Sequence, residues 1–177
     1  MEEANWLYET DEKDRARFLL GRSGSRPLLC IGVNPSTARP GKLDNTLKAV
    51  VRHVDLHGYA GWMMMNLYPQ RATNPNDLHK RCQRSLYEEN LQCFARVLEG
   101  PPLDIWAAWG TLIEKRPYLF RALDDIYALA QAGNHRFIGI GKPSLKGHPH
   151  HPLYLSSREK PWEFPIRSYC QTWLANS

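Results

Sequence analysis

The chain has 177 residues, a formal net charge of +5 and an apolar share of 42%. That length suits one domain with a single sizeable core, and the apolar share excludes wholesale disorder. No apolar run approaches the ~20 residues that a membrane-spanning helix requires. The acidic opening Met1-Glu2-Glu3-Ala4-Asn5 lacks the basic start of a signal peptide, so the expected location is cytoplasmic.

A pI of about 9.1 is compatible with a polyanionic partner. Ordinary surface charge accounts for it equally well, because the basic residues are spread along the chain. Only Arg22–Arg26, Lys80–Arg84 and Lys142–Lys146 form modest groups. Cys30, Cys82, Cys93 and Cys170 contain no C-x-x-C pair, which argues against a zinc knuckle or a thioredoxin-like dithiol. All four are expected to be reduced, with Cys30 acting as a small buried hydrophobe.

In chain order, Trp6-Leu7-Tyr8 and Ala16 to Leu20 read as a hairpin or edge addition, and Gly21 to Ser25 as a Gly/Ser turn. Pro27 to Val33 is the first strongly apolar strand. Asp44 is placed to cap a helix that runs to about His57, with Leu47, Val50, Val51 and Val54 on one face and Gly58 as its stop. Ala60 to Asn66 is the second strand, an apolar run of the kind buried on both faces of a parallel sheet.

Asn76-Asp77 can open a helical stretch. Ser85 to Glu99 predicts a helix with Leu86, Leu91, Phe94 and Leu98 inward, broken by Pro101-Pro102. Leu103 to Trp109 is the third strand, and Thr111 to Ala132 is helical with an interruption at Pro117. Gly133-Asn134 is a turn and Arg136 to Ile140 the fourth strand. Lys142 to Leu155 is a basic loop, and Pro165 to Leu174 a final helix.

Strand–helix alternation repeated in this way predicts an α/β fold. The expected form is a three-layer α/β/α sandwich around a four-stranded, mostly parallel sheet, with the N-terminal hairpin added, as one domain spanning 1–177. Right-handed crossovers bring the strand ends to one edge, where ligands of open α/β sheets bind.

Four loops converge there and supply the candidate residues. Gly32 permits close approach of a backbone or ligand, Asn34 can cap or bind, Pro35 stiffens the turn, and Ser36 follows it. Asn66 ends the second strand, and its carboxamide offers a donor and an acceptor side by side, as the edge of a nucleobase requires. Tyr68 and Trp109 could wall a planar ligand, although Trp106 and Trp109 could equally pack a sheet face.

His148, His150 and His151 invite a metal. The intervening prolines favour extended chain, and no H-E-x-x-H accompanies them, so no metal is expected. A hydrogen-bonding or acid–base role suits one of these histidines better. Neither a Walker loop nor a dinucleotide fingerprint is present, and no cofactor is expected.

Taken together, Gly32-Val33-Asn34-Pro35-Ser36-Thr37-Ala38, Asp44-x-Thr46, Asn66-Leu67-Tyr68, Ala108-Trp109-Gly110 and Gly147-His148-Pro149-x-His151-Pro152-Leu153-Tyr154-Leu155 resemble a bacterial and phage family of unknown function, DUF1643. More distantly, four motifs resemble the uracil-DNA glycosylase superfamily. Gly32-Val33-Asn34-Pro35 is similar to its water-activating loop, Gly61 to Lys80 to its base-reading strand and loop, Trp109-Gly110 to its Leu-Trp-Gly, and His151-Pro152 to its His-Pro-Ser.

That resemblance implies a uracil-DNA glycosylase-like fold. It also implies that Asn34 positions a water, that Asn66 reads an extruded base, and that His151 stabilises the departing base anion. The chain departs from the strictest class in having Asn34 for Asp and Ser36 for Tyr. Three functions stay open: a nucleobase-binding hydrolase of N-glycosidic bonds, with DNA, RNA or a free nucleotide as partner; a non-catalytic nucleobase-binding module; and an unrelated Rossmann-like small-molecule enzyme.

Overall fold

The computed structural model describes residues 5–176; the acidic start Met1–Ala4 therefore lies outside the described residues. One seven-stranded sheet organises the chain, in the order β1-β2-β4-β3-β5-β6-β7. The strands are β1 (Trp6–Thr10), β2 (Arg17–Arg26), β3 (Leu28–Gly32), β4 (Ala60–Asn66), β5 (Asp104–Ala107), β6 (Arg136–Ile140) and β7 (Pro161–Glu163).

The four anticipated strands form the centre. β3 lies between β4 and β5, with β6 beyond β5, and all of these pairs are parallel. The expected four-stranded sheet with an added N-terminal hairpin is corrected to one sheet of seven strands among the described residues. β2 joins β4 antiparallel and carries β1 on its outer side, while β7 closes the other edge antiparallel to β6. Gly21 to Ser25 is not a turn but the interior of β2, where Gly21 pairs with Met63.

Side chains of the central strands alternate between two cores, as period-2 geometry requires. Leu28, Cys30, Met64 and Trp106 point to one face. There they meet Leu47, Val50 and Val54 of α1 (Asn45–Leu56). Leu29, Ile31, Met63, Met65, Ile105 and Ala107 point to the other. That face is covered by α2 (Arg84–Leu98), α3 (Pro117–Gln131) and α4 (Ile166–Ala175), through Phe94, Leu119, Ile126 and Tyr169 among others.

Asp44 caps α1, its Oδ1 accepting the Leu47 amide at 2.9 Å. The helical stretch expected from Asn76-Asp77 is only a single 3-10 turn, Pro75–Asp77, capped by Asn74. The helix expected over 111–132 divides at Pro117 into a 3-10 segment, Gly110–Lys115, and α3. Leu86 and Leu91 are half-buried, and the fully buried positions of α2 are Asn90, Cys93, Phe94 and Leu98. Among the described residues no helix is long and apolar enough to cross a membrane, and the four cysteines are free.

The crossovers position the cleft described below. From β3 the chain passes to α1 on one face; from β4 it passes to α2 on the other. Adjacent parallel strands whose connections leave in opposite directions open a crevice between their carboxyl ends. Here that crevice lies beside Gly32 and Asn66, which are partners in the β3–β4 register.

The interior place of Gly21 is testable. A Cβ there would run into the backbone carbonyl of Trp62 and lie 3.0 Å from the Met63 Cα. Gly21→Ala should therefore cost roughly 2–3 kcal/mol, the penalty of overpacking against backbone. Urea denaturation checks this; an unchanged midpoint would contradict the pairing of β2 with β4.

Candidate functional site

The cleft at the carboxyl ends of β3 and β4 encloses about 70 Å³ and is lined by Arg17, Gly32, Asn34, Ser36, Asp44, Thr46, Asn66, Leu112 and His151 among others. Three of the expected residues, Asn34, Asn66 and His151, are thus brought together with Gly32, Pro35 and Ser36. Tyr68 and Trp109 are not among its walls.

Trp109 is fully buried against Phe164 and Tyr169, and its Nε1 donates to the Tyr169 hydroxyl at 3.1 Å. Tyr68 is also fully buried. It packs on Tyr118, lies 2.7 Å from His79 Nδ1 through its hydroxyl, and accepts the Gln83 amide. Each follows a strand end, but its ring turns inward to the core on the α2–α4 face.

Asn66 is 1% exposed, and neither Nδ2 nor Oδ1 has a hydrogen-bond partner among the described residues. Gly32 makes this placement possible: a Cβ at that position would lie 2.9 Å from Asn66 Oδ1 and 2.8 Å from Met64 Cε. The backbone beneath the side chain is held from α2, where buried Asn90 donates Nδ2 to the Asn66 carbonyl at 2.8 Å.

Asn34 is fixed differently. Its Nδ2 donates to the carbonyls of Pro35 at 3.0 Å and Ala72 at 2.8 Å, which binds the loop after β3 to the loop after β4. Two carbonyl acceptors define which end of the amide is nitrogen, and they leave Oδ1 as the acceptor. Arg71 adds to the same seam, with Nη1 donating to Ser36 O at 2.6 Å and Ala38 O at 3.1 Å. Its Nη2 pairs with Asp14 at 2.9 Å.

His151 accepts the Leu153 amide at Nδ1, 3.1 Å away. A lone pair at Nδ1 puts the proton of the neutral ring on Nε2, so Nε2–H is a donor. Burial, then the neighbouring His150, holds the His151 pKa below the ordinary imidazole value, and Asp44 offsets part of this.

His148 belongs to a separate network on the core side. It is fully buried and stacked on Trp173, with Nδ1 2.6 Å from the Tyr169 hydroxyl and Nε2 2.6 Å from Glu114 Oε1. Because Trp109 Nε1–H donates to Tyr169, the tyrosine hydrogen points to His148 Nδ1 and the His148 Nε2–H to Glu114. His150 Nδ1 lies 2.6 Å from the His151 carbonyl. The three histidines therefore diverge, and among the described residues no group of three or more His, Cys, Asp or Glu could hold a metal ion.

The structure adds residues that sequence reasoning passed over as site members. Arg17 is 1% exposed; it donates Nη1 to Ala38 O at 3.1 Å and leaves Nε unpartnered. Burial and the nearby Arg71 push its pKa down to about 10, with Asp44 working in the opposite direction. Its signal in the sequence was a lone cation inside the apolar run Ala16-Arg17-Phe18-Leu19-Leu20. Asp44 was read as a helix cap and as part of the Asp44-x-Thr46 motif but not as a site residue, yet it lines the cleft together with Thr46.

The chain is thus an α/β protein with a small, amide-rich polar cleft at the carboxyl edge of its parallel strands. It belongs to the family described as "Protein of unknown function (DUF1643)", whose model matches residues 17–153. That match takes in β2 to β6 and every residue named as lining the cleft. Neither the curated proteins nor the solved structures give a significant match.

His53, His57, His79 and His151 all have pKa values below the ordinary 6.5, with burial as the first cause of each. The native state then binds fewer protons than the unfolded chain in the window just below pH 6.5. Stability is full above that value and lost as pH falls through it. The urea midpoint should therefore drop between about pH 7 and about pH 5; a midpoint that stays level or rises would contradict these shifts.

Proposed function

We propose that the protein binds a nucleobase against Asn66 and hydrolyses the N-glycosidic bond that carries it, in DNA or in a modified nucleotide, in the manner of the uracil-DNA glycosylases. The observation that supports this most is the Asn66 carboxamide, buried with no protein partner for either polar atom. An unpaired buried polar atom costs about 1–3 kcal/mol. A base edge with its own donor and acceptor side by side would recover that cost.

The neighbours of Asn66 support hydrolysis. Asn34 Oδ1 is the free acceptor of a side chain whose nitrogen is already committed, so it can orient a water. His151 offers Nε2–H to an oxygen of the base as the bonding electrons move onto it. One such oxyanion donor is worth ~3 kcal/mol. The resemblance of the four loops to the glycosylase motifs assigns the same roles to the same three residues. The cleft at about 70 Å³ admits the edge of a ring. A whole base seated on Asn66 requires the cleft to widen.

A second function, a binding module without turnover, is favoured by one feature. Asn34 is fully occupied as a loop staple at Nδ2, a role that needs no reaction. Base release and base binding separate the two. The assay is release of free base from single- and double-stranded oligonucleotides carrying uracil, hypoxanthine or alkylated bases, and from modified free nucleosides, with calorimetric binding of the bases alongside.

Asn66→Ala should weaken base binding roughly 10- to 100-fold, the worth of a bidentate amide pair. His151→Ala should slow release about 100- to 1,000-fold with little change in binding. His148→Ala should instead lower stability, because it removes the link between Tyr169 and Glu114. Binding abolished by Asn66→Ala without release from any substrate would assign the module; no binding of any base would refute the nucleobase site.

A further inference from the structure

We propose that Asp44 is the proton acceptor for the hydrolytic water, a role that rests on the N-glycosidic reading of the cleft. An amide such as Asn34 can orient a water but is a poor base. The cleft holds a carboxylate that the glycosylase resemblance does not account for. Asp44 stands at the mouth of α1, half-buried, and lines the same cavity as Asn34, Asn66 and His151.

One of its oxygens is committed. Oδ1 accepts the Leu47 amide at 2.9 Å as the α1 cap, while Oδ2 has no hydrogen bond among the described residues. Asp44 Oδ2 and Asn34 Oδ1 belong to residues that line one cavity, so both can serve as acceptors to a water bound there. Among the described residues, Arg17 of β2 and His151 of the loop between β6 and β7 line the same cavity and feel the charge of Asp44. Arg17 cannot compete as a base because it is a cation at neutral pH. His151 has its lone pair at Nδ1 already engaged by the Leu153 amide.

The step balances without a co-reactant. The water oxygen bonds to the anomeric carbon of the sugar, and the carbon–nitrogen bond breaks with its electron pair passing to the base. Asp44 Oδ2 takes the water proton while His151 Nε2–H donates a hydrogen bond to the base anion. The base then takes up a proton, from solvent or from Asp44, and leaves as the neutral free base.

Capping and base catalysis are separable by substitution. Asparagine and serine cap helices about as well as aspartate, so Asp44→Asn and Asp44→Ser should stay folded, with melting temperatures lowered only by the loss of the charge opposite Arg17. Neither supplies a carboxylate. On a substrate that the unaltered protein cleaves, both variants should bind free base as before and release it at least about 100-fold more slowly. They should also lose the fall in rate toward acid pH that a carboxylate base imposes.

A loss below about tenfold in either variant would overturn the assignment. So would a larger loss with an unchanged pH profile, or one explained by weaker base binding. If the unaltered chain releases no base from any substrate, the N-glycosidic function falls and Asp44 falls with it. If the unaltered chain is active and the variants are equally so, only the role of Asp44 is lost.

Discussion

Everything at the polar edge depends on two strands being in one register, with no side chain on one of them. β3 and β4 pair so that Gly32 stands beside Asn66. The missing Cβ leaves the space that the Asn66 carboxamide fills. From there the consequences spread outward. Amides of Leu67 and Tyr68 continue the ladder onto the carbonyls of Gly32 and Val33, so the two strand-end loops leave together. Asn34 and Arg71 then stitch those loops with hydrogen bonds to backbone carbonyls rather than with apolar contacts. The result is a polar floor over an apolar core, held by bonds whose directions are fixed.

The central parallel strands, the capped α1 and the break at Pro117 were legible because each has a local cause. Apolar runs of strand length, an Asp at a helix start and a proline act through the backbone near them. What was not legible depends on distant chain. β2 continues through Gly21, Ser23 and Gly24 because β4 offers a closely approaching backbone, and small residues suit that contact. Their local signal is that of a turn. β7 is three residues long and exists only as a partner of β6.

The same division applies to the site. Asn34, Asn66 and His151 stand at or just beyond strand ends, and topology carries such positions to one edge. Whether an aromatic residue beside them turns into the cleft or into the core is settled by what packs behind it. Tyr169 offers Trp109 an acceptor, and His79 and Tyr118 enclose Tyr68. Arg17 was hidden for the opposite reason. A cation in an apolar run looks like a surface residue at a strand edge, and only the loop that carries Ala38 makes it a buried one. Withdrawing a guanidinium from water carries a penalty of several kcal/mol, and Asp44 across the cleft is the largest of the negative charges that partly offset it.

The loop that carries His151 is pinned at two points that lie on opposite faces of the sheet. His148 is held on one side by Tyr169, Glu114 and the Trp173 ring. Leu155 is buried on the other, where its carbonyl accepts Arg52 Nη2 at 3.0 Å. Only the span from Pro149 to Tyr154 bridges these anchors, and two of its residues, Pro149 and Pro152, cannot donate a backbone hydrogen bond. The strap over the cleft is therefore short, stiff and tethered through both layers of the core. A ligand that lifts it pulls on α1 and α4 at once, so occupancy of the cleft is mechanically linked to the packing of α4, a helix that contributes no residue to the cleft wall.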